Sequence, residues 1–209
     1  MREQLIKHYY ALLEKSLRPF LKSGLSPNAI SFLALAFSCF AGICYGYGKI
    51  FSGGLLLLLA GFMDTVDGSV ARLTGRSDRS GALLDSTLDR YAEFFVFFGF
   101  LFHFRHGWMF VIVLLALMGS VLVSYIKARA QSLGTVRTVG LMQRPERFAL
   151  LIAGSILNGP SEVLFPRWPD AALSISLLLL ALLSNGTALH RLLAGRKDLA
   201  SVPADGKRP

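Results

Sequence analysis

Asp64, Asp67, Asp85 and Asp89 place four carboxylates on a short stretch of a chain that is 53% hydrophobic. With Glu93 they fall in or beside apolar runs long enough to cross a bilayer, where an aspartate at mid-span costs about 2.5–3.5 kcal/mol. Asp64 and Asp67 are three residues apart and Asp85 and Asp89 four apart, so each pair occupies one helix face. The intervening LTGRSDRSG reads as a turn between adjacent antiparallel helices. Closing that hairpin gathers the four carboxylates, which cannot remain ionised together without strong counter-charge. Hard divalent cations supply it. With no His or Cys nearby, all-oxygen ligation points to magnesium, manganese or calcium rather than zinc.

Small residues surround the carboxylates. Gly68 and Ala71 follow Asp67, and Gly81 precedes Asp85, leaving backbone and space open to a flat or phosphorylated ligand. Neither a Walker loop nor a dinucleotide glycine fingerprint is present. A second group, Ser124 and Lys127 at the end of the fourth apolar run and Arg144, Pro145 and Arg147 at the start of the fifth, brings several cations near the aspartates, with Arg191 near the end of the last run. Several cations beside an acidic site suit a phosphorylated co-substrate better than a neutral or zwitterionic one.

The elements that must hold these residues are membrane helices. Mean hydropathy is +0.52, too apolar for a soluble domain of 209 residues. Windows of about 20 apolar residues predict six spans over 29–47, 51–73, 82–102, 108–128, 148–165 and 171–193. The expected fold is an all-α integral membrane protein, with a six-helix transmembrane domain over 26–195 and a polar tail over 196–209. Residues 1–25 alternate apolar and basic positions at helical spacing and predict an interfacial amphipathic helix. Of the 22 Lys and Arg residues, all but Lys49, Arg105 and Arg167 fall on one predicted side. That bias puts both termini and the aspartates at the cytoplasmic face of the cell membrane. It also accounts for the net charge of +9 without nucleic acid, while favouring contact with membrane lipids. Cys39 and Cys44 read as buried filler, Gly42 and Gly46 as a helix-packing face, and Trp108 and Trp168 as interfacial anchors.

The pattern D-x2-D-G-x2-A-R-x8-G-x3-D-x3-D, beginning at Asp64, resembles the signature of the CDP-alcohol phosphotransferase family at every fixed position. The resemblance implies a homodimeric membrane enzyme that moves a phosphatidyl-type group from a CDP-linked lipid, such as CDP-diacylglycerol, to an alcohol and releases CMP. It makes Asp64, Asp67 and Asp85 ligands of Mg2+ (or Mn2+), and Asp89 a ligand or the general base. It also places Asp64, Asp67, Gly68, Ala71, Arg72, Gly81 and Asp85 at the CDP-lipid. The segments VSYIKARAQSLG and LMQRPERF look like those of the branch that makes phosphatidylinositol phosphate, and its archaeal-lipid counterpart, from inositol phosphate. On that likeness Ser124, Lys127, Pro145, Arg147 and Arg191 form the acceptor-phosphate pocket. Gln131 and Gln143 stand where that branch leads one to expect acidic residues. Glycerol 3-phosphate would also want a basic pocket, so phosphatidylglycerophosphate synthesis is the nearest alternative. A magnesium transporter is a remote one, because no acidic residue between Glu93 and Glu146 continues a path.

Overall fold

The computed structural model describes residues 25–75, 78–134 and 139–200; the expected interfacial helix over 1–25 lies almost wholly outside the described residues. Among those described, the elements are six helices: α1 (Pro27–Gly46), α2 (Ile50–Leu73), α3 (Arg79–His103), α4 (Met109–Ser132), α5 (Arg144–Leu164) and α6 (Ala171–Ala200). Each overlaps one of the six expected apolar runs. Ser26 caps α1 by accepting the Ala29 N–H at 3.2 Å, with Pro27 in the first turn, where its missing N–H costs nothing. Asp78 caps α3 by accepting the Gly81 N–H at 2.6 Å.

Helices α1, α2, α4 and α6 are long and apolar enough to cross a membrane. Helices α3 and α5 match them in length, but Asp85, Asp89, Arg90 and Glu93 on one and Arg144, Glu146 and Arg147 on the other dilute their hydropathy. The charge that lowers their membrane character is the charge that builds the site. Helix α6 runs through Ala200, into the expected polar tail, of which 201–209 lie outside the described residues; Lys197 in its last turn complements the carbonyl end of the helix.

The helices close into a ring in which α1 packs on α2 and α3, α2 on α5, α5 on α6, α6 on α4, and α4 on α3. Helices α2 and α3 therefore form no packed hairpin, contrary to the reading of their linker as a turn between adjacent helices. Both lie along α1 and face each other across a gap. Close approach makes this possible: a Cβ on Gly42 would meet the Phe95 carbonyl oxygen at 2.3 Å, and one on Gly99 the Gly42 carbonyl oxygen at 2.2 Å. No side chain fits between α1 and α3 there, which bears out the packing role expected of Gly42.

The core sits away from the aspartates, where Tyr45, Leu57, Phe97, Phe100, Val113, Leu173 and Leu177 are buried together. Tyr45 and Ser155 hydroxyls bond at 3.0 Å and satisfy each other inside it. At the far end, His103 Nε2 meets Asp170 Oδ2 at 2.8 Å and Asn158 Nδ2 donates to Asp170 Oδ1 at 2.9 Å, pinning α3 to α5 and the start of α6. Burial alone would push the Asp170 carboxyl up, but the hydrogen bonds from His103 and Asn158 and the His103 charge outweigh it and hold it below its ordinary value. Trp108 and Trp168 are exposed near that same end, and Cys39 and Cys44 are free thiols, half-buried rather than buried as expected.

Candidate active site

Helical period delivers the carboxylates. Asp64 and Asp67 come from the last turns of α2, Asp85 and Asp89 from the early turns of α3, and α1 lies between the two helices. Asp64, Asp67 and Asp85 each offer an oxygen within 4.8 Å of the others. Asp67 is buried, and Ser31 of α1 donates to its Oδ2 at 2.5 Å. Asp89 stands beside this triad. Arg144, at the start of α5, donates from Nη1 to Asp64 Oδ1 at 2.7 Å and reaches Asp89 Oδ1 with Nη2 at 2.5 Å, while its guanidinium lies 5.2 Å from the Phe148 ring centroid. The cleft lined by Ser31, the four aspartates and Arg144 encloses about 10 Å³, the room of roughly one small solvent-sized body. Three convergent carboxylates without nitrogen or sulfur donors fit a hard divalent cation held by Asp64, Asp67 and Asp85.

Two larger cavities adjoin the carboxylates. One of about 300 Å³ opens between α1, α2 and α3 and is lined by Pro27, Asn28, Asp67, Gly68, Ala71, Arg72, Gly81 and Asp85 among others. It collects Gly68, Ala71, Arg72 and Gly81, the small and basic positions singled out from sequence. Arg72 is oriented by Ser69, whose Oγ accepts from Nη2 at 3.2 Å. The second, about 480 Å³, runs between α2 and α5 from Asp64 and Arg144 along Leu58, Phe62, Phe148 and Ile152 and is mostly apolar.

This arrangement of paired aspartates, small-residue cavity and apolar groove coincides with a known sequence family. Residues 25–187 match the family model described as CDP-alcohol phosphatidyltransferase. The chain belongs to that family. It is 34% identical over 201 residues to the phosphatidylinositol phosphate synthase of Mycobacterium tuberculosis, covering 91% of each chain. The fold is also similar to crystal structures of that mycobacterial enzyme (PgsA1). One has CDP-DAG bound, with a TM-score of 0.77, 31% identity and coverage of 95% and 98% of the two chains. Another is in complex with manganese and citrate, with a TM-score of 0.77, 31% identity and coverage of 94% and 93%. The chain is thus a phospholipid-synthesising transferase, an integral membrane protein and, by its donor set and family, a user of divalent metal ions.

The expected acceptor residues are less uniform in placement. Ser124 lies inside the bundle and accepts from Arg90 Nη1 at 3.1 Å and from Arg147 Nη2 at 3.4 Å. Arg147 is 1% exposed and also reaches Glu93 Oε1 at 3.4 Å. Lys127 and Pro145 are exposed. Arg191 is buried and spends its donors on backbone, with Nε to the Val139 carbonyl at 2.6 Å and Nη1 to the Val123 carbonyl at 2.8 Å. It braces the approach to α5 against α4 and α6. Ser31, the Ser120 hydroxyl that donates to Glu93 Oε1 and the Arg144 bridge carry no mark in the sequence. No periodic or charge signal marks a single serine in an apolar helix, whereas Arg144 stood out only as one more cation near α5.

Proposed function

We propose that the chain transfers the phosphatidyl group of CDP-diacylglycerol to a hydroxyl of inositol phosphate, forming phosphatidylinositol phosphate and releasing CMP. The observation that carries this reading is the single helix α3. It offers Asp85 to the signature-lined cavity at one face, and Asp89 followed by the Arg90, Glu93, Ser124 and Arg147 cluster one turn on. A donor diphosphate in the 300 Å³ cavity and an acceptor phosphate near that cluster would flank Asp89.

The chain's residues divide the work. Gly68, Ala71 and Gly81 admit the nucleotide, and Arg72 meets its charge. Asp64, Asp67 and Asp85 would hold a divalent ion, which would supply the positive charge that offsets the diphosphate and the departing CMP. The apolar groove between α2 and α5 suits acyl chains. Asp89, with Oδ1 held by Arg144, takes the acceptor hydroxyl proton at Oδ2. The acceptor oxygen forms a bond to the lipid-linked phosphorus as the bond to the bridging diphosphate oxygen breaks, and the electron pair leaves with CMP. Ser124, Lys127, Pro145 and Arg147 are assigned to the acceptor phosphate, with Arg191 supporting the segment that precedes α5.

The same reading has all six helices spanning the bilayer, with α3 and α5 turning their charges inward. It sets both termini and the site at the cytoplasmic face, on the bias of basic residues, and has the enzyme working as a homodimer, as the family resemblance implies. The test is CMP release by the purified protein from CDP-diacylglycerol in mixed micelles, with magnesium or manganese and a panel of inositol 1-phosphate, myo-inositol, glycerol 3-phosphate and serine. Release with inositol 1-phosphate alone, abolished by a chelator and by Asp89→Asn, is the expected result. Release with glycerol 3-phosphate alone would keep the chemistry and overturn the acceptor.

A further inference from the structure

Glu93 is buried, at 4% exposure, on α3 one turn beyond Asp89. Its Oε1 accepts from the Ser120 hydroxyl of α4 and lies 3.4 Å from Arg147 Nη2 of α5, and its Oε2 takes Arg90 Nη1. Both arginines also reach the Ser124 hydroxyl, so two cations share one carboxylate and one serine. The cluster keeps a net positive charge inside the helix bundle, and Arg147 Nε is buried without a hydrogen-bond partner among the described residues. A buried guanidinium in excess of its counter-ions is costly unless an anion completes it. Arg147 cannot turn toward a ligand freely, because the carboxylate fixes where its fork points.

We propose that Glu93 is the positioning residue of the acceptor-phosphate site. It holds Arg90 and Arg147 in register around Ser124, and it cancels one of two charges so that the site is stable when empty yet still completed by a phosphate. The inference rests on the proposed acceptor pocket. A purely structural Glu93 would lower folded yield or turnover without singling out one substrate.

The experiment compares wild type with Glu93→Gln, Glu93→Asp and Ser120→Ala in two readouts. In the first, Glu93→Gln raises the KM for the phosphorylated acceptor by about tenfold or more, the size of a lost charge-assisted hydrogen bond, while the KM for CDP-diacylglycerol stays within about twofold. Glu93→Asp recovers part of the loss. Ser120→Ala, which removes one hydrogen bond and leaves every charge in place, moves the same constant less and carries the test if the Gln variant does not fold. In the second, thermal stabilisation of the detergent-solubilised protein by inorganic phosphate needs about tenfold more phosphate in Glu93→Gln. An unchanged acceptor KM together with unchanged phosphate stabilisation overturns the inference. If wild type consumes no phosphorylated acceptor but the phosphate effect depends on Glu93, the acceptor assignment falls and the positioning role stands.

Discussion

Arg144 links Asp64 to Asp89 across the mouth of the carboxylate site, and replacing it by lysine isolates the value of its fork. The guanidinium meets two carboxylates at 2.7 and 2.5 Å, whereas one ammonium can serve only one of them in good geometry. Losing one charge-assisted hydrogen bond costs about 1.5–3 kcal/mol. The side chains are 24% exposed for Arg144, 31% for Asp64 and 15% for Asp89, so solvent screening favours the lower half of that range. At about 1.4 kcal/mol per factor of ten, Arg144→Lys should lower kcat/KM by roughly 10- to 40-fold. Arg144→Ala leaves two carboxylates without their cation and should cost more, about 100-fold or beyond. The assay is CMP release at fixed donor mole fraction, alongside thermal melts to establish that both variants fold. On the proposed reading the loss should fall on kcat, because Arg144 meets Asp64 and Asp89 and does not line the 300 Å³ cavity assigned to the nucleotide. A lysine variant within about threefold of wild type would refute the claim that the two-carboxylate bridge is used in the transition state.

Two further predictions concern the frame. Gly42→Leu should destabilise the protein by about 1–3 kcal/mol or more through overpacking, because even the first added carbon meets the Phe95 carbonyl. Thermal melting in detergent reads it, and a wild-type melting temperature would contradict the close helix contact. Asp170→Asn should cost about 1–2 kcal/mol at neutral pH by weakening the bond from His103. Since the folded carboxyl sits below its ordinary value, its contribution is complete above about pH 4 and is lost as pH falls through the folded value. The wild-type advantage over the variant should therefore shrink on acidification below that point, as followed by chemical denaturation across pH.

The four aspartates and their depth in the chain were legible because helical period and apolar context act locally, and the small residues beside them recur as the lining of one cavity. The neighbour relations of the helices were not. A short polar linker between α2 and α3 suggests a hairpin, but both helices pack on α1, which the Gly42–Gly99 contact brings close against α3. Arg191 and Arg147 were legible as cations and illegible as buried ones, since composition cannot tell a side chain facing a ligand from one capping a backbone carbonyl. Ser31 had no signal at all; its meaning arises only when α1 brings it to Asp67.

The outward-facing groove between α2 and α5 begins at the carboxylate site and continues along exposed Leu58 and Phe62. On the proposed reading, the donor can slide in sideways from the surrounding leaflet, its tails never leaving the hydrocarbon, while the alcohol arrives from water. One substrate then searches in two dimensions and the other in three. The rate would follow the donor's mole fraction in the bilayer rather than its bulk concentration, and diluting the membrane with inert lipid would slow the enzyme as surely as withholding substrate.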